Sequence, residues 1–104
     1  MRKRRYEILL PLTHNDGRPV SGETIEQTRE ELLARFSGVA FFPHSVLGIW
    51  VHEGTRYQDE SMRVIVDVDD NPENEQFFAS FKATLMERFE QIEIYIISYP
   101  IDRV

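Results

Sequence analysis

The chain has 104 residues, 41% of them hydrophobic and 29% charged, with 12 basic and 18 acidic side chains and no cysteine. That length suits one domain over residues 1–104 with its own core, and the missing cysteine excludes a disulfide framework, a thiolate nucleophile and cysteine-bound zinc or iron-sulfur centres. Four basic residues sit at the start (Arg2, Lys3, Arg4, Arg5), so the other eight face eighteen acidic groups; such a body repels a phosphate backbone and argues against nucleic-acid binding.

Residues 1–5 read as a mobile basic tip. The following YEILLPL alternates Tyr6, Ile8, Leu10 and Leu12 with Glu7, Leu9 and Pro11, the pattern of a strand, with Pro11 near its end because proline cannot donate to a sheet ladder. Glu7 and Pro11 also break any resemblance to a leader peptide, and no stretch approaches the roughly 20 apolar residues of a membrane span. A cytoplasmic protein without membrane contact is expected. In the connecting stretch THNDGRPV, the Asn-Asp-Gly run is turn chemistry.

SGETIEQTREELLARFSG repeats Ile25, Thr28, Leu32 and Phe36 at helical spacing, widened by Leu33. Ser21 or Thr24 can cap its start, and Gly38 is placed to end it in a left-handed conformation. VAFFPHSVLGIWVHEG reads as a strand with a kink or bulge at Pro43-His44. Both of its faces are apolar, so either Leu47, Ile49 and Val51 or Gly48 and Trp50 point away from the core. A turn or longer hairpin loop is expected around Gly54 to Asp59. SMRVIVDVD then sets Met62, Val64, Val66 and Val68 inward, opposite Arg63, Ile65 and Asp67, as a central strand.

Asn71 as cap and Pro72 at the first helical position open a second helix whose buried stripe is Phe78, Phe81, Leu85 and Phe89. IEIYIISYP closes the chain as a strand, with Ile92, Ile94 and Ile96 on one face and Glu93, Tyr95, Ile97 and Tyr99 on the other. The order β-α-β-β-α-β points to an α+β class, a ferredoxin-like sandwich: a four-stranded antiparallel sheet of order 4-1-3-2 with two helices on one face.

Two helices cover one side of such a sheet, so its second side decides the partners. That side is apolar, with Leu9, Ile49, Ile65 and Ile97 as candidate interface residues of a homodimer packed sheet to sheet. RNA is not expected there: the RNA-recognition sheet carries aromatics on its first and third strands, where this chain has Leu9 and Ile65.

Two candidate sites can be tested against a structure. Arg63, Asp67, Tyr95 and Tyr99, with Glu93, share the open face and could bind a small molecule or act in acid-base chemistry if a dimer cleft removed them from water. His14 and His52 fall at the same end of the sheet about two strand spacings apart, with Asp16, Glu53, Asp59, Glu60 and Glu93 around them. His44, eight residues before His52, is too far to join them. Without a tight ligand motif such as HExxH, no metal site and no cofactor is assigned.

The strand YEILLPL, the loop NDGRPV, the pair Gly48 and Trp50, and the helix end Arg88 to Gln91 together resemble a group of small bacterial proteins of unknown function. The resemblance implies a stand-alone domain of the same pattern and no activity, with Arg88 and Gln91 as capping or inter-element contacts. The expected function is a non-catalytic homodimeric module that binds a small molecule or protein partner. The alternative is a small enzyme or sensor with its site in the sheet cleft.

Overall fold

The computed structural model describes residues 2–104, Ser45 by its backbone alone. The elements run β1 (Lys3–Pro11), α1 (Gly22–Arg35), β2 (Val39–His52), β3 (Thr55–Asp69), α2 (Pro72–Arg88) and β4 (Ile96–Ile101). The sheet order is β2-β3-β1-β4, every neighbouring pair antiparallel, which is the expected 4-1-3-2 arrangement.

Alternation along β1 and β3 puts Tyr6, Ile8 and Leu10 beside Met62, Val64, Val66 and Val68, and both helices close over them. Helix α2 contributes Phe78, Phe81 and Leu85, with Phe89 at its end, and α1 contributes Thr28 and Leu32. Tyr6 stacks on Phe78 with ring centroids 3.8 Å apart. Ser21 caps α1 by accepting a hydrogen bond from the Thr24 amide at 3.2 Å, and Asn71 caps α2 by accepting from Asn74 at 2.8 Å, with Pro72 next as expected. Neither helix is long and apolar enough to cross a membrane.

Five expectations need correction. The basic tip is not free from Lys3 onward: Lys3, Arg4 and Arg5 extend β1 and meet Asp69, Asp70 and Asp67 at 2.6, 2.9 and 2.8 Å. Met1 lies outside the described residues. Helix α1 stops at Arg35, because Phe36 turns extended to reach Phe77 and Phe78, and Gly38 plays no left-handed role. Leu33 is exposed.

Of the turn or longer loop expected around Gly54 to Asp59 the structure has the turn, and Thr55 to Asp59 are strand. Glu53 and Gly54, at φ 48° and 78°, make a two-residue turn with both central residues at positive φ, and pairing resumes at once with His52 opposite Thr55. Finally, β4 starts at Ile96; in the segment before it Ile94 is buried but Ile92 is 49% exposed.

The kink at Pro43-His44 is a bulge: residues 43–45 fit between the pairs Phe42/Arg63 and Val46/Ser61, opposite Met62 alone. Past it the hairpin outruns β1, whose last partner is Ser61. The extra reach from Ser61 to Thr55 is roughly 20 Å of two-stranded arm.

Candidate functional site

The face away from the helices is a grid set by the strand registers. Glu7 lies between Ile65 and Ile97, and Arg5 between Asp67 and Tyr99. Leu9 lies between Arg63 and the Tyr95 carbonyl, to which it donates at 3.0 Å.

Charge on this grid is internally paired. Arg5 holds Asp67 through two bonds of 2.8 and 3.0 Å, a bidentate geometry that orients both groups. Arg63 reaches the Glu7 carboxylate with Nε at 2.7 Å and lies over the Phe42 ring at 5.1 Å. The Tyr99 hydroxyl donates to the other Glu7 oxygen. That bond, followed by the Arg63 contact, holds the Glu7 carboxyl below its usual range. The Arg5 contact does the same for Asp67, and donation to Glu7 pushes the Tyr99 hydroxyl up.

Of the expected ligand residues, Arg63, Asp67 and Tyr99 thus belong to one network, but they meet only through Glu7 and Arg5. Neither of those two reads as a site residue in the sequence, where Arg5 falls in the basic tip and Glu7 looks like an ordinary outward strand residue. The legible signal is charge alternation: opposite signs on Arg5 and Glu7, two residues apart on one strand, and on Arg63 and Asp67, four apart on its neighbour.

Tyr95 stands at the other end of the face, beside a pocket of about 330 Å³ where β1 finishes and the arm leaves the body. Leu9, Ile94 and Tyr95 line one part of it, and Gly48, Trp50 and Asp59 another. Trp50 donates from Nε1 to Asp59 Oδ2 at 2.9 Å and stacks on Tyr57 at 4.5 Å, so bond and stack fix the indole against the carboxylate. Gly48 sits directly opposite Asp59, and a Cβ there would meet nothing nearer than the Asp59 carbonyl at 4.0 Å. Glu93 also lines the pocket and is held by Lys82 at 2.8 Å, which depresses its pKa.

The second strand resolves its ambiguity in favour of Trp50 facing the open side. Leu47, Ile49 and Val51 take the helix side, yet they lie on the arm beyond the helices and are 59, 58 and 67% exposed. Ile49 therefore points to the side opposite Leu9, Ile65 and Ile97, although it joins Leu9 in lining the pocket. Ile65 itself is only 8% exposed, covered by its neighbours on the grid, while Ile97 is open to solvent.

His14 and His52 do not meet. The His14 ring rests on the end of α2, with Nδ1 3.3 Å from the Phe89 carbonyl and 3.1 Å from Glu90. His52 stands at the tip of the arm, carried away by the strand that replaces the expected loop. The loop around His14 is a turn: Gly17 has φ 89° and its amide bonds the His14 carbonyl at 2.9 Å, while Arg18 links Asp16 to Glu90. Among the described residues no group of three His, Cys, Asp or Glu is arranged to hold a metal ion. Arg88 makes the inter-element contact its position suggests, reaching Thr28 at 3.1 Å and Glu31 at 2.8 Å on α1.

No protein-family model and no curated protein matches the chain. Solved structures do. A divalent cation tolerance protein (CutA1) from Thermus thermophilus aligns with 98% of this chain and 86% of its own at TM-score 0.65 and 14% identity. A phage SAM lyase in complex with S-methyl-5′-thioadenosine aligns with 97% of this chain and 90% of its own at 0.61 and 16%. The GlnK-ATP complex of B. subtilis aligns over 96% and 82% at 0.57 and 14%. Identities this low carry the ferredoxin-like fold alone, and these three proteins place different activities on it. Of the expected resemblance they support a small ferredoxin-like fold, shared here with proteins named as a divalent cation tolerance protein, a SAM lyase and a GlnK-ATP complex rather than with proteins of unknown function.

Proposed function

We propose that this chain is a small cytoplasmic binding module that pairs with a second copy through the open sheet face and performs no chemistry of its own. The observation that carries the reading is the makeup of that face. Leu9, Ile97 and Tyr99 surround charges that already neutralise one another in Arg5–Asp67 and Arg63–Glu7. A surface whose charges are pre-paired and whose remainder is apolar loses little on leaving water and gains the burial of its aliphatic groups. A bare monomer gains nothing from it. Sedimentation velocity between 1 and 100 μM (a range chosen to bracket about −8 kcal/mol of association) tests this. A concentration-dependent shift to the dimer mass is expected, and a monomer throughout the range overturns it.

A second reading, a small-molecule sensor, is favoured by the pocket beside Trp50. Its volume of about 330 Å³ lies at the low end of ligand sites, and its walls are mostly apolar. Two of the similar structures, the phage lyase and GlnK, are named with a small organic ligand, which supports the fold as a carrier of such molecules.

A further inference from the structure

We propose that the pocket at the base of the hairpin arm binds a small organic cation, a substituted ammonium with an apolar body, using Asp59 as counter-charge and the Trp50 and Tyr95 rings as walls. This rests on the second reading above, that the pocket is a ligand site.

The charges at the pocket select the sign of the ligand. Among the described residues its ionisable lining is acidic, Asp59 and Glu93, apart from Tyr95, with no lysine or arginine. Glu93 is satisfied by Lys82 at 2.8 Å. Among the described residues Asp59 has no cationic partner within 4.0 Å, although it is only partly exposed. The indole that donates to this carboxylate carries no charge, so a cation in the pocket supplies the counter-charge where an anion would be repelled.

The walls select the body of the ligand. Leu9 offers aliphatic surface over the buried Ile94, and the indole of Trp50 is the side-chain ring that attracts a cation best. That ring is held in place by its bond to the very carboxylate that would carry the counter-charge. Ring and carboxylate are therefore arranged together before any ligand arrives, which lowers the ordering cost of binding.

The absent side chain at Gly48 makes the space. Its backbone lies in regular strand pairing outside the positive-φ region, so glycine is not required there by conformation. Any larger residue would project over the open face into the pocket, opposite Asp59. The short sequence Gly48-Ile49-Trp50 thereby acquires a purpose: one residue leaves the room and the other forms its wall.

Trp50 is the single tryptophan of the chain, so its emission reports on the pocket alone. The probes are benzyltrimethylammonium, neutral benzyl alcohol and anionic phenylacetate, titrated against the full chain at low salt. Benzyltrimethylammonium should give a saturable change at least about tenfold tighter than either other probe. Asp59→Asn keeps an acceptor for the indole and should erase that preference while leaving benzyl alcohol unchanged. Gly48→Val, a residue strands favour, should abolish the response with an unaltered thermal transition. Should benzyl alcohol or phenylacetate bind as tightly as the cation, or Asp59→Asn keep the preference, the ligand class is wrong although the pocket remains a site. If no probe gives a saturable change, or Gly48→Val responds as the wild type does, the site itself is disproved, whatever sedimentation reports about the dimer.

Discussion

Residues one step apart on the same strands have opposite fates on the two faces of this sheet. On the helix side Ile8, Leu10, Val64 and Val66 are wholly removed from water. On the other side Leu9 and Ile97 keep partial exposure and share their surface with Arg5, Glu7, Arg63 and Asp67. Both faces are rich in aliphatic groups, so hydrophobicity alone does not separate them. The charges do: they make one face tolerable in water while leaving it able to join another surface. A core must be dry to exist, whereas an association surface must survive both wet and dry.

The largest break in that contrast is expected inside the covered face. Leu85→Ala removes a fully buried side chain and should cost about 2–5 kcal/mol, read as a lower urea midpoint. Next in size is the turn that makes the arm: Gly54→Ala forces a Cβ into φ 78° and should cost roughly 1–2 kcal/mol. Glu53→Asn, better suited to φ 48°, should gain a few tenths of a kcal/mol by the same assay.

The open face should reveal itself through pH. Glu7 and Asp67 have folded pKa values below their ordinary ones, so the stability they supply is fully present above pH ~4.3 and is lost as pH falls through the depressed folded values. Tyr99 is shifted upward; its share is complete below pH ~10 and disappears as pH rises through its folded value. Glu7→Gln should therefore be less stable than the parent at pH 7 and converge with it near pH 2, and the gap should narrow again at alkaline pH, where the parent loses the share that Tyr99 draws from its charged acceptor. Thermal melts across pH 2–11, a span set by these reference values, check both limbs. Parallel curves for the two proteins over the whole span would show that the network contributes nothing to stability.

The smallest effect on stability carries the most information about the face. Ile97→Lys should move the unfolding free energy by no more than about 0.5 kcal/mol and, under the proposed pairing, should sediment as a monomer. A destabilised variant would place Ile97 in the core, and a stable dimer would move the interface elsewhere, with the exposed Leu47, Ile49 and Val51 of the arm as the next surface to alter.

Much of the covered face is legible because period and caps agree. The spacing of Phe78, Phe81 and Leu85, the Asn71-Pro72 start and the alternation of Met62 to Val68 each recur in the structure as read. Local chemistry suffices there, since a residue's own neighbours in sequence determine which side it takes. The candidate site is legible only in pieces. Arg63, Asp67 and Tyr99 stand out, but of the groups that join them Glu7 is an unmarked outward residue of the expected strand, and Arg5 depends on a strand extension that becomes favourable only when Asp67, Asp69 and Asp70 lie alongside.

The sequence by itself determined the number and order of the elements, the helix starts and the inward sets of β1 and β3, because these follow from periodicity and backbone sterics within a few residues. Tertiary structure decided where the hairpin turned, which face Trp50 took and whether His14 met His52. Each of those depends on register between strands. Pairing Thr55 directly with His52 turned an expected loop into an arm of roughly 20 Å, which parted the histidines and set Trp50 against Asp59. Interactions between residues distant in sequence have no local signature until the backbone bonds that align them are formed.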